Sequence, residues 1–406
     1  MTVGVGGSTA EIELARLTSR RGDVPPIGDA ERRARVARAQ ALMREAGIDA
    51  LWLDVSASLT YFTGLRLWRS ERLHGAVLPA HGELAYLCPA FEEEKLRTMV
   101  SVPGRIAVWE EHEDPTALVT GMLREAGVTR GTVALDEATQ FAAFDGLRRA
   151  ANSYDYVNGA RITGACRSCK SPAEIALMQT AKSITLEAQR AAARILRPGI
   201  TTTEVQAFLV EAHRRLGAEG PPAFNIVLFG EATAYPHGVP YPQTLREGDM
   251  VLIDVGAPVD GYVSDITRSY VFGEPTARQR EIWNLEKAAQ AAAFAAARIG
   301  ARCEDVDAAA RRVIEAAGFG PGYAVPGLPH RTGHGIGLEV HEVPYLVKGD
   351  MTVLAPGMTF SNEPMICLYG EFGVRLEDHF HMTADGPRWF TQPAHSVDDP
   401  FGYEEA

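Results

Sequence analysis

Residues 251–270 read VLIDVGAPVDGYVSDITRSY: an apolar run, a turn, and a second run that carries a buried-looking acid. Asp260-Gly261 is the kind of dipeptide that closes a two-residue β-hairpin loop. Asp254 and Asp265 are equidistant from the gap between Val259 and Asp260, so they are expected to face each other across the ladder. Cross-strand partners lie roughly 5 Å apart at Cβ, near enough to share a cation. The pattern recurs further on. Glu363 in FSNEPMI and Glu377 in FGVRLEDHF centre on Gly370 in the turn-rich LYGEFG, and His334 lies between the two hairpins in RTGHGIGLEVHEVP.

A single acid in a hairpin is ordinarily a surface residue. Here Asp254 follows Val251-Leu252-Ile253 and Glu363 follows Met358-Thr359-Phe360. Both segments should be buried, and a buried acid without a partner is costly. Four gathered carboxylates repel one another, and two divalent cations would neutralise them. His334, as a neutral imidazole, adds a ligand without adding charge. Oxygen-rich ligation with one nitrogen suits Mn²⁺, Co²⁺, Zn²⁺ or Fe²⁺. Two such ions about 3.5–4 Å apart would turn a shared water into hydroxide near neutral pH, which makes this a hydrolytic site.

These motifs resemble the pita-bread metallopeptidases, and within them the proline-specific branch of Xaa-Pro dipeptidases (prolidases) and Xaa-Pro aminopeptidases. The order Asp, Asp, His, Glu, Glu matches, as do the steps of 11 residues from Asp254 to Asp265, 29 from His334 to Glu363 and 14 to Glu377. Methionine aminopeptidases share the ligand set but usually lack a large N-terminal domain, and creatinase shares the fold without the ligands.

The resemblance implies one ion on Asp254, Asp265 and Glu377 and another on Asp265, His334, Glu363 and Glu377. It also implies catalytic roles for His237 in YPHGVPYP, His330 in LPHRTGHG and His341 in EVHEVP, and for Arg375, two residues before Glu377 and so on the same strand face. Arg375 is expected to orient Glu377 rather than touch substrate. The implied substrate is a small peptide with proline second, most simply a dipeptide, and Mn²⁺ is the first choice of metal. The alternatives are an Xaa-Pro aminopeptidase, a lyase on the same metal site, and a peptide-binding protein without catalysis. Many relatives carry an arginine shortly after the position of His341; here 342–348 read EVPYLVK, so Arg331, Lys348 or a basic residue of a partner subunit would have to capture the substrate carboxylate. The apolar residues near these histidines, Phe224, Tyr235, Tyr241, Val340 and Val343, read as core rather than pocket lining.

Composition fits a soluble globular protein: 406 residues, 46% apolar and 23% charged. A net charge of −12 without a basic tract argues against a nucleic-acid partner. The opening MTVGVGGSTA has neither the charged nor the apolar region of a signal peptide, and the most apolar run, 288–299, is too short to span a bilayer. Five scattered cysteines suit a reducing cytoplasm. The resemblance adds a homodimer or homotetramer.

The expected architecture is α+β. An α/β domain over 1–160 opens with a helix at 30–46 closed by Gly47, then a strand at 48–53 and further strands near 75–88, 104–109 and 132–136. The domain over 161–406 has helices capped at Ser171, Thr201 and Thr276, the first running to about Arg197 and the third to Gly300, and a fourth from about Glu304 to Gly318. Two helices then an acid-bearing hairpin, twice over, predict a pseudo-twofold pita-bread domain: a curved antiparallel sheet with helices outside.

Overall fold

A computed structural model describes residues 2–404 of the chain. It divides into two compact units, Ile27–Arg167 and Met1–Pro26 joined with Ser168–Ala406. Both ends of the expected division at residue 160 therefore shift. The helix Ala160–Arg167 completes the first unit, where Tyr61 donates to the Cys166 carbonyl at 2.9 Å and Arg167 to Ser58 at 3.0 Å. The first 26 residues fold instead with the C-terminal unit. Thr2 Oγ1 donates to the Val271 carbonyl at 2.8 Å, and Glu13 is buried between Arg16 at 2.9 Å and Arg194 at 2.7 Å. These partners lie far away in sequence, and the Gly-rich segment has no periodicity that would announce them.

In the N-terminal unit the helix Asp29–Ala46 ends at Gly47, whose φ of 68° supplies the left-handed cap. Six strands follow in the spatial order Gly104–Trp109, Leu84–Pro89, Gly75–Pro79, Ala50–Asp54, Gly131–Leu135, Tyr154–Asn158. The expected strand at 75–88 is an antiparallel hairpin of two. The edge strand Tyr154–Asn158 went unread because its sequence, YDYVN, is half polar.

In the C-terminal unit the helices are Pro172–Arg194, Thr202–Leu216, Ala277–Ala296 and Cys303–Ala316. Capping boxes form at Ser171/Glu174, Thr201/Glu204 and Thr276/Gln279. The first and third helices stop a few residues short of Arg197 and Gly300. Strands Phe224–Phe229, Met250–Gly256 and Ile266–Val271 form one antiparallel sheet. Gly333–Gly335, Thr359–Asn362 and Asp378–Thr383 form the middle of another, with Glu342–Leu346 and Gly386–Trp389 at its edges.

Alternation along Met250–Gly256 places the site. Val251, Ile253 and Val255 pack with Ile184, Leu209 and Leu216 of the first helix pair. Met250 and Leu252 face the other way and join Trp283 and Val306 of the second pair. Asp254 shares their face, pointing away from the first helix pair. The architecture is thus the expected pita-bread α+β fold, with two helix pairs each backing an acid-bearing hairpin.

Candidate metal centre

The two hairpins meet the expected registers differently. Around Asp260-Gly261, with φ of 47° and 81°, Val259 pairs with Tyr262 and Asp254 with Thr267. Asp254 therefore does not face Asp265. The ladder centres on the turn dipeptide itself, one residue beyond the expected point, and Asp265 becomes a diagonal neighbour of Asp254. The slip moves the pairing by two residues, so both acids keep the same face. At the second hairpin the expectation holds. Met365 pairs with Arg375 and Asn362 with Asp378, and both pairs centre on Gly370, which sets Glu363 opposite Glu377.

His334 is threaded between backbones. A Cβ at Gly333 would stand 2.1 Å from the Ser361 carbonyl oxygen, and one at Gly335 2.6 Å from that of Glu342. Only glycines admit this closeness, and they deliver the imidazole to the acids. Asp265, His334 and Glu377 are buried and offer ligand atoms all within 4.8 Å of one another. His334 Nε2 lies 3.0 Å from Glu363 Oε1 and 3.6 Å from Asp265 Oδ2. Its Nδ1 donates to the Gly335 carbonyl at 3.0 Å, so in the neutral ring Nε2 carries the lone pair and faces acceptors. Asp254 stands outside this tightest group and is held by Arg375, whose Nη2 lies 2.5 Å from its Oδ2.

Asp254 Oδ1, Asp265 Oδ1 and Glu377 Oε1 are buried with no hydrogen-bond partner among the described residues, and His379 Nε2 stands 3.8 Å from Glu377 Oε1. Orphaned carboxylate oxygens beside an imidazole lone pair fit a divalent cation and little else. The electrostatics agree. Burial first, then Glu377, Asp254 and Glu363, push Asp265 well above the ordinary carboxylate range. Burial, then Glu363 and Asp254, do the same to Glu377. Asp254 is raised by burial against the pull of Arg375. Burial also pushes Glu363 up, but His334 when its Nε2 carries a proton, then His330 and Arg375, outweigh it and hold this carboxyl low.

Residues 176–384 match the family model described as metallopeptidase family M24, and residues 35–169 that of the creatinase/prolidase N-terminal domain. The chain belongs to metallopeptidase family M24. Among solved structures this M24 chain is similar to dipeptidase PepE from Mycobacterium ulcerans, at 32% identity and a TM-score of 0.84 over 92% of this chain and 99% of that one. A prolidase from Thermococcus sibiricus is 28% identical with a TM-score of 0.81 over 89% and 96%. An Xaa-Pro dipeptidase from Bacillus anthracis is 27% identical with a TM-score of 0.79 over 89% and 98%. The protein is an M24 metallopeptidase.

Of the remaining expected residues, His341 touches His334 and Arg375 touches Asp254. The His341 ring meets that of His334 edge-on at 4.3 Å while its other side is open to solvent, and partial burial, then His334 and Arg331, depress its imidazolium. His330 donates from Nδ1 to the Arg331 carbonyl at 2.7 Å, leaving Nε2 without a partner among the described residues. His237 is exposed on a loop that Arg375 anchors by donating from Nη1 to the Pro236 carbonyl at 3.0 Å. Arg375 Nε also reaches Thr267 Oγ1 at 3.0 Å, and Thr267 donates to Glu377 Oε2 at 2.7 Å. Arg375 thus bears directly on Asp254 and acts on Glu377 through a threonine.

Tyr235, Tyr241 and Val343 are not core but exposed. Thr267, Ser361, His379 and Lys182 went unread as members of the site's surroundings. Thr267 and His379 each lie two residues beyond a proposed ligand, so strand periodicity was a signal for both. Lys182, inside a helix, had none.

Proposed function

We propose that this M24 enzyme hydrolyses the Xaa-Pro bond of dipeptides at a centre of two divalent cations, with Mn²⁺ the first choice among Mn²⁺, Co²⁺, Zn²⁺ and Fe²⁺. Asp254, Asp265 and Glu377 would hold one ion, and Asp265, His334, Glu363 and Glu377 the other. The carrying observation is the set of three orphaned, buried carboxylate oxygens beside His334. When bound, such ions supply the Lewis acidity that makes water nucleophilic near neutral pH.

The rest falls to the chain's own side chains. The Gly335 carbonyl fixes the His334 tautomer, and Arg375 orients Asp254. An Xaa-Pro bond is a tertiary amide, so its leaving nitrogen must gain a proton. His341 is open to solvent on one side and meets His334 on the other, so its neutral ring would take a proton from water and pass it to that nitrogen. His330 Nε2, without a partner among the described residues, would hold one, and His237 would contribute from its exposed loop.

Arg331 supports the dipeptide reading. Its guanidinium lies 4.4 Å from the ring centre of Tyr345, the strand partner of His334, and has no hydrogen-bond or ion-pair partner among the described residues. Its fork of donors suits a substrate carboxylate. Lys348 is exposed, two residues past the end of that strand. Five free cysteines support the cytoplasmic reading, and a homo-oligomer is part of the proposal. No helix among the described residues is long and apolar enough to cross a membrane.

Hydrolysis of Ala-Pro and Ala-Pro-Ala, before and after chelation and with Mn²⁺ restored, tests the proposal. Metal-dependent cleavage confined to Ala-Pro is expected. Cleavage of the tripeptide would favour the aminopeptidase, and no cleavage of either would reject both.

A further inference from the structure

Two glutamines occupy corresponding places in the two helix pairs. Gln189 lies near the end of the helix Pro172–Arg194 and Gln290 near the end of Ala277–Ala296, and both side chains are almost wholly buried. Buried alanines flank them, Ala188 and Ala193 in the first helix, Ala289 and Ala293 in the second. An amide buried in such surroundings is costly unless its hydrogens find acceptors.

Gln189 Nε2 donates to the Ile253 carbonyl at 3.1 Å and to the Ile266 carbonyl at 2.6 Å, one on each strand of the first acid-bearing hairpin. Gln290 Nε2 donates to the Leu376 carbonyl at 3.0 Å, to the Asn362 carbonyl at 3.4 Å and to Asp378 Oδ2 at 3.3 Å, so it too reaches both arms of its hairpin. Asn362 Nδ2 donates back to the Gln290 main-chain carbonyl at 2.9 Å. Carbonyls only accept, so their positions fix which way each amide faces.

The carbonyls chosen are those beside the acids. Ile253, Asn362 and Leu376 immediately precede Asp254, Glu363 and Glu377, and Ile266 follows Asp265. A peptide unit is planar, so holding its oxygen also places the Cα of the next residue. A ligand cage needs such placement to within about 0.5 Å.

We propose that Gln189 and Gln290 are a symmetry-related pair of positioning residues, each setting the separation of the two acids on its hairpin, so that the cage is formed before a cation arrives. The inference rests on the two-ion reading above. It goes beyond it because neither glutamine hydrogen-bonds to any of the five ligand side chains among the described residues.

The test is titration of the metal-free, full-length protein with Co²⁺ followed by visible absorption, which reports the geometry of the ligands around that ion. Gln189→Met and Gln290→Met remove the donors at nearly unchanged volume. Ile184→Ala and Ile282→Ala are packing controls, both buried on the same two helices. Each glutamine variant should weaken Co²⁺ binding about 10–100-fold and alter the absorption of the bound ion. The isoleucine variants should lower the melting temperature and leave affinity and absorption as they are. A glutamine variant, folded by circular dichroism, that kept the natural Kd or the natural spectrum would overturn the proposal. So would a like change in either control. Gln189→Leu and Gln290→Leu stand in should a methionine variant fail to fold. If the natural protein bound fewer than two Co²⁺ ions, the two-ion reading would fall and this inference with it. If it bound two and the glutamine variants matched it, this inference alone would fall.

Discussion

Lys170 Nζ meets Glu342 Oε2 at 2.9 Å, and both side chains are almost wholly buried. The other oxygen of Glu342 accepts from the backbone N–H groups of Leu338 and Glu339 at 2.9 and 3.1 Å. The residue next to His341 is thereby pinned from two directions, and the turn that presents His341 is tied to the chain just ahead of the helix Pro172–Arg194. Lys170→Met leaves Glu342 buried without its ammonium, so a loss of roughly 3–5 kcal/mol is expected, with kcat falling as His341 loses its placement. Urea denaturation reads the first effect. A loss below about 1 kcal/mol would mean that the pair contributes little.

Arg375 joins Asp254, Thr267 and the Pro236 carbonyl through three different nitrogens. A lysine offers one point charge in place of that planar fork. Arg375→Lys should weaken metal binding about 10–100-fold, the usual scale for losing a group that orients a ligand. Equilibrium dialysis against Mn²⁺ measures it, and unchanged affinity would reduce Arg375 to a packing role.

Asp265→Asn and Glu377→Gln each remove a proposed bridging ligand and should abolish turnover; near-normal rates in either variant would contradict the assignment. His341→Ala should cost about 10²–10⁴ in kcat, as expected for a lost proton-transfer partner. Because the His341 side chain is exposed, its loss should barely move the melting temperature. A large drop in stability with kcat intact would reverse its role.

Metal affinity should rise with pH. Asp265 and Glu377 have carboxyls raised well above their ordinary values of 3.8 and 4.5, so without metal they keep protons that a cation must displace. Glu363 is shifted downward and is already ionised in this range, so it adds no slope. The Kd for Mn²⁺ should therefore be lower at pH 8 than at pH 6. A pH-independent Kd would show that the acids are already ionised before metal arrives.

The parts of the fold that sequence made legible are those with local causes. Ser171, Thr201 and Thr276 start helices because a capping side chain and its partner lie three residues apart. Glu363 and Glu377 were placed opposite each other by the symmetry of one tight hairpin about Gly370. The midpoint of Asp254 and Asp265 predicts that they pair, whereas the ladder centres on the turn dipeptide, and the even slip between the two keeps both acids on one face. What escaped had distant causes. Glu13 meets Arg194 across 181 residues, and Lys182 reaches the Val263 carbonyl across 81. Neither contact leaves a trace in spacing or composition.

Anomalous X-ray diffraction from crystals grown in saturating Mn²⁺ would bear most directly on the metal centre. The expected map has two peaks about 3.5–4 Å apart, one against Asp254, Asp265 and Glu377 and the other against Asp265, His334, Glu363 and Glu377. Two peaks elsewhere, or none among these five side chains, would contradict the account.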